Sequence, residues 1–177
     1  MNVLITYSSG LGSTKEVALE IARILSQETS LHIHSDSIDD VENIDEFEGI
    51  VVGSSVRADA PLANVRDFFN RFRVELLQKK VALFAVCLTA NCPKGREQVC
   101  ERYLSQILKK YPDLKPVAVE AFGGKIDFNR LNPVMQSLMR RVLQKTGLPT
   151  EGSVDTRDWE FIRAWAGDLA VTLKKTS

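Results

Sequence analysis

The sequence lacks a long apolar segment. Its longest unbroken apolar run, Val81–Leu88, falls far short of the ~20 residues that span a bilayer. No basic leader precedes Val3-Leu4-Ile5, so no secretory signal is expected. Cysteines number three, an odd count that argues against a disulfide-stapled secreted scaffold. Histidines number only two, and 23 Lys and Arg are balanced by 23 Asp and Glu. With no basic excess, and no basic patch interleaved with aromatics, the chain does not read as a nucleic-acid binder. At 177 residues, 44% hydrophobic and 26% charged, the expectation is one globular domain with a full core, acting as a cytoplasmic enzyme or carrier.

What is there is a strict alternation of strand-length apolar runs and helical patterns. Asn2–Tyr7, Leu31–Asp36, Gly49–Ser55, Lys79–Cys87 and Lys115–Phe122 read as five strands. The third and fourth are continuously apolar, as in strands covered on both faces, whereas the second alternates with period two. Helical spacing fills Thr14–Gln27, Pro61–Gln78 with Pro61 in its first turn, and Pro93–Tyr111. It returns at about 132–146 and 156–174, the last with Asp155 and Thr156 as candidate N-caps. Such alternation implies βαβ crossovers, hence an α/β fold: a three-layer, doubly wound, five-stranded parallel sheet. The order 2-1-3-4-5 puts the polar second strand at an edge. One domain over 1–177 is expected, with a helix-bearing insertion at about 124–150.

In this topology ligands sit beyond the carboxyl ends of the strands, where strand order reverses. There the loops Ser8–Thr14, Ser54–Ala60 and Leu88–Lys94 should converge. The first, Ser8-Ser9-Gly10-Leu11-Gly12-Ser13-Thr14, packs three Ser, one Thr and two Gly between a strand and a helix. Glycines allow close backbone approach, and the first N–H groups of a helix attract anions. Two rival phosphate motifs fail. A P-loop requires Gly-Lys-Ser/Thr at its end, and the dinucleotide fingerprint requires a third Gly where Lys15 stands. Helix capping alone also accounts for a Ser- and Gly-rich turn.

The run Tyr7-Ser8-Ser9-Gly10-Leu11-Gly12-Ser13-Thr14 resembles the phosphate loop of flavodoxins. Gly53-Ser54-Ser55-Val56-Arg57, the helix start Asp158-Trp159-Glu160 and the extra stretch at 124–150 resemble one branch of that superfamily, the menaquinone-dependent protoporphyrinogen oxidases of flavodoxin type. The resemblance implies FMN, its phosphate held by Ser9, Gly10, Leu11, Gly12, Ser13 and Thr14. It implies that the isoalloxazine lies between Ser55, Val56, Arg57 and Ala58 on one loop and Leu88, Thr89, Ala90, Asn91 and Cys92 on the other. Unlike carrier flavodoxins, the chain has no aromatic in either ring loop. Arg57 near the ring would favour a reduced, anionic flavin by charge attraction; the bland reading is a solvated arginine or a pair with Asp59.

Two functions follow from the resemblance. One is an FMN-dependent oxidoreductase passing electrons from a planar organic substrate to a quinone or another carrier. The alternative is an electron-transfer protein serving protein partners. A flavin-free module of the same fold is a third reading, prompted by the missing aromatics. No side chain is compelled to act as acid or base.

Charge is segregated along the chain. Eight acids and no Lys or Arg lie between Glu28 and Glu48, whereas Lys125–Lys145 carries Lys125, Arg130, Arg140, Arg141 and Lys145 against Asp127 alone. Met135, Leu138, Met139, Val142 and Leu143 form an apolar stripe beside these bases. It can pack into the core, or the basic helix 132–146 can lie on the inner face of a membrane, where a quinone would be found. His32 and His34 share a strand face with Asp36 but lack a third strong ligand, so no metal site is assigned. Cys87, Cys92 and Cys100 match no redox or zinc spacing, and Phe68, Phe69 and Phe72 read as core.

Overall fold

The continuously apolar runs become the centre of a parallel sheet. A computed structural model describes residues 1–57, 60, 61, 63–144 and 146–175, with the side chains of Arg57, Ala60 and Pro61 excluded. Strands β1 (Asn2–Ser8), β2 (His32–Ser37), β3 (Gly49–Arg57), β4 (Lys80–Val86) and β5 (Ala118–Phe122) lie in the order β2-β1-β3-β4-β5, all parallel. This is the expected flavodoxin-like order.

Alternate residues of the central strands feed two separate cores. Leu4, Ile50, Val52, Leu83 and Ala85 face one side, where they meet Phe68 and Phe69 of α2 (Ala63–Arg71) and Leu76 of α3 (Arg73–Leu76). Val99 of α4 (Pro93–Val99) and Ile107 of α5 (Ser105–Lys110) complete that layer; a π-helical turn, Cys100–Leu104, joins these two helices. Val3, Ile5, Val51, Ala82, Phe84 and Val86 face the other side. That layer is α1 (Ser13–Leu25), through Val17 and Ile21, and α7 (Trp159–Lys174), through Ile162 and Leu169. Phe84 is fully buried, and truncating such a side chain costs about 3–5 kcal/mol. Only β2 alternates exposed and half-buried residues, as its edge position requires.

After β5 the chain leaves the sheet. β6 (Lys125–Asp127) pairs antiparallel with β7 (Ser153–Asp155), and α6 (Pro133–Gln144) lies between them. Ile126, Phe128, Leu143 and Val154 form a third, small core there. Asn132 caps α6, its Oδ1 accepting from the Met135 N–H at 2.9 Å. The Gln136 amide donates to the carbonyls of Phe128 and Leu131 at 2.9 and 3.0 Å. The insertion is therefore a structured unit closed by a β ribbon, which three-residue strands are too short to announce.

Two local expectations are corrected. Pro61 does not start a helix: Ala60–Pro61 turns back antiparallel on Val56–Arg57, and α2 begins at Ala63. A fixed proline φ suits this edge pairing as well as a first helical turn. The cap of α7 is Asp158, whose Oδ1 accepts from the Phe161 N–H at 3.0 Å, because Asp155 is already in β7.

Candidate functional site

Parallel register brings the three candidate loops to one edge. Ser8 at the end of β1 pairs with Ser54 of β3, and Ser55 pairs with Val86 of β4. The carboxyl ends of β1, β3 and β4 thus lie side by side.

The first loop is shaped to receive an anion. Gly12 takes a φ of 93°, the left-handed region that favours glycine, and its N–H donates to Ser9 Oγ at 3.1 Å. Helix α1 starts at Ser13 with no side-chain cap, and its first internal bond runs from the Glu16 N–H to the Gly12 carbonyl. The preceding N–H groups of Ser13, Thr14 and Lys15 have no acceptor within the helix. Thr14 is wholly buried, yet its Oγ1 has no hydrogen-bond partner. An orphaned buried hydroxyl costs about 1–3 kcal/mol, which a ligand oxygen at this helix end would recover. Thr6 Oγ1, within β1, is similarly orphaned but lies below the loop, in register with Asp36 and Val52. Gly10 and Leu11 are exposed, and Ser9 and Ser13 are half-buried.

Support comes from residues that carry no motif. Ser8 Oγ donates to Asn64 Oδ1 at 2.6 Å, and Asn64 Nδ2 donates to Asp39 Oδ1 at 2.9 Å. This chain ties the loop base to α2 and to the acidic segment. The acid in the first turn of α1, Glu16, would repel an anion there. It is offset by Arg157, whose Nη1 lies 2.6 Å from Glu16 Oε2 and whose Nη2 lies 2.6 Å from Asp155 Oδ2. The Arg157 side chain is 3% exposed and sits 4.5 Å over the Trp159 ring. Its guanidinium holds the Asp155 carboxyl below the usual range.

The first ring segment is not the expected loop: Ser54–Arg57 belong to β3, with Val56 and Arg57 paired to the returning Ala60–Pro61. Ser55 is half-buried; Val56 packs on the core; Arg57 ends β3 with only its backbone described; Ala58 lies outside the described residues. In the other loop, Asn91 and Cys92 are exposed and Ala90 is 2% exposed, directed into the core. Thr89 Oγ1 is 3.1 Å from Cys87 Sγ. A Cβ on Gly95 would fall 2.0 Å from the Thr89 carbonyl oxygen, so α4 seats this loop only because position 95 has no side chain. Leu88 turns to the insertion and packs against its small core. Thr156 bridges the same junction: its Oγ1 accepts from the Gly124 N–H at 3.1 Å and lies 3.4 Å from the Leu88 carbonyl.

Asn64, Thr156 and Arg157 were not legible as site residues, since their partners lie 56, 32 and 141 positions away. His34 is exposed and packs edge-on against Phe47 at 5.3 Å. Among the described residues, no group of His, Cys, Asp and Glu is placed to hold a metal, and no helix is long and apolar enough to cross a membrane.

Residues 4–153 match the family model described as a flavodoxin domain. Solved structures share the fold at low identity. Oxidised flavodoxin 1 from Bacillus cereus is 19% identical, aligns over 100% of both chains and superposes with a TM-score of 0.60. An oxidoreductase from Corynebacterium diphtheriae is 17% identical over 100% of this chain and 99% of its own, with a TM-score of 0.59. The Flv1 flavodiiron core from Synechocystis is 14% identical, and this chain covers 37% of it at a TM-score of 0.61. No curated protein compared with the sequence matches it.

Proposed function

The chain belongs to the flavodoxin domain family, and from that premise we propose that it is an FMN-dependent redox protein whose phosphate cradle is Ser9–Thr14. The observation that carries this reading is the orphaned, fully buried Thr14 hydroxyl at an uncapped helix N-terminus, next to a glycine held at φ 93°. Hydroxyls of Ser9, Ser13 and Thr14 and the first N–H groups of α1 would hold the phosphate dianion. The α1 dipole adds about 0.3–1 kcal/mol. Arg157 keeps Glu16 from opposing it. FMN supplies electron-transfer chemistry at its isoalloxazine. The loops 55–58 and 88–92 would flank that ring, Ala90 through its backbone because its side chain is turned inward.

We further propose an enzyme, accepting electrons from a planar organic substrate and delivering them to a quinone, as in the flavodoxin-type protoporphyrinogen oxidases. Two features support it. Neither ring loop offers an aromatic to cover a ring face. The insertion, with its own core, abuts the second ring loop through Leu88 and so builds a wall beside it. A second reading, an electron carrier for protein partners, is favoured by full-length likeness of fold to the B. cereus flavodoxin.

An anaerobic assay separates the two. The FMN-loaded protein is mixed with protoporphyrinogen and a menaquinone analogue. Catalysed porphyrin formation supports the enzyme. Electron exchange with a flavodoxin reductase, without porphyrin formation, supports the carrier.

A further inference from the structure

The apolar stripe of α6 does not pack as one face. Met139 and Leu143 turn into the insertion's core, and Gln136 is pinned to the turn before the helix. Val134, Leu138 and Val142, spaced by four residues along the opposite side, are 77%, 52% and 40% exposed and belong to none of the three apolar cores. The helix is thus apolar on two sides, and the outer side is left to solvent.

Cations border that outer side. Arg141 lies three residues beyond Leu138 and seven beyond Val134, hence on the same face. Arg140, Arg130 and Lys125 are exposed on the same insertion. Among the described residues, Arg130, Arg140 and Arg141 form no ion pair with a carboxylate, whereas Lys125 stands across the ribbon from Asp155 and acts on its carboxyl. Of the acids on this unit, Asp127 accepts from the Asn129 N–H and Asp155 pairs with Arg157; Glu151 is exposed before the closing strand, so the bases of the insertion still outnumber its acids. Lys145 continues the series in sequence and lies outside the described residues.

We propose that the outer face of α6 is a docking surface for an anionic phospholipid bilayer. The apolar stripe would enter the headgroup–acyl boundary, with the arginines on lipid phosphates. Charge complementarity selects this occupant. A two-fold contact between copies of α6 would gather two sets of the same arginines with no added acid to balance them, whereas an anionic surface neutralises the whole set. Docked there, the insertion holds the ring loop that carries Leu88 close to the membrane, where a lipid-soluble acceptor dissolves. The docking itself does not depend on the redox reading.

The test is co-sedimentation of the full chain with vesicles of phosphatidylcholine alone, or with about a third phosphatidylglycerol, at low and high salt. Wild type should partition at least about tenfold more onto the anionic vesicles, and high salt should reverse this. L138E and the pair R140E/R141E should each lose about tenfold. V171E, at an exposed valine on α7, should bind like wild type. FMN uptake measured in parallel should be equal in all variants, so a failed cofactor site is distinguished from a failed docking face. Absence of binding to anionic vesicles at low salt overturns the proposal. So does undiminished binding by L138E, or a wild-type dimer in solution that L138E makes monomeric.

Discussion

Arg157 reaches across 141 positions of sequence to place its Nη1 2.6 Å from Glu16 Oε2. The contact fastens the C-terminal side of the insertion to the first turn of α1. It also neutralises the acid nearest the candidate phosphate cradle. Replacing Arg157 with Gln removes a side chain only 3% exposed. The expected loss is about 1–3 kcal/mol in urea denaturation, the partner carboxylates being free to rehydrate. FMN should bind several-fold more weakly at low salt. Unchanged stability would show that the pair is idle.

Thr14→Val tests the cradle without disturbing its shape. The hydroxyl is buried and unpartnered, so the apoprotein should be as stable as wild type or slightly more so. FMN affinity should fall about tenfold, the value of one hydrogen bond to a charged oxygen. Gly12→Ala should behave oppositely. No atom obstructs the new methyl, but φ 93° penalises any side chain by about 1–2 kcal/mol, so the apoprotein itself weakens. Thermal unfolding with and without FMN separates the two signatures.

The sheet was legible because β3 and β4 are buried on both faces, and a continuous apolar run of that length, bounded by polar turns, suits a covered strand better than a helix. Pro61 was not, since its fixed φ serves a helix start and an edge return equally. The stripe on α6 gave the right helix but could not say which apolar residues face inward. Leu143 and Leu138 differ only in what the fold sets against them. The candidate cradle is visible as composition at Ser8–Thr14. Its supports, Asn64, Thr156 and Arg157, depend on contacts between distant segments and carry no local pattern.

Arg57→Gln should lower the flavin midpoint potential by on the order of tens of millivolts, the effect of removing one cation near a partly solvated ring. The shift should shrink as salt is raised. Spectroelectrochemical titration reads it directly; an unchanged potential means that the guanidinium does not act on the ring.

Glu20 sits between Arg23 at 2.8 Å and Arg163 at 2.5 Å, bracing α1 against α7. The hydrogen bond from Arg23, followed by that from Arg163, pulls its carboxyl down to about 2 against partial desolvation. A depressed carboxylate stabilises the fold above its unfolded value of 4.5 and loses that contribution as pH falls toward 2. Both arginines are about half exposed, so screening limits the effect to about 1 kcal/mol. Glu20→Gln should therefore be less stable than wild type at pH 7, and the gap should close between pH 4.5 and 2. A gap that persists at pH 2 would point to packing instead.

The central claim is that Ser9–Thr14 holds the phosphate of FMN. Titrating the purified apoprotein with FMN and, separately, with riboflavin, which has the same ring and no phosphate, tests it by flavin fluorescence. FMN should bind one per chain and at least about a hundredfold more tightly than riboflavin. Thr14→Val should narrow that difference. Equal affinity for the two flavins, or no uptake of FMN, would contradict the account.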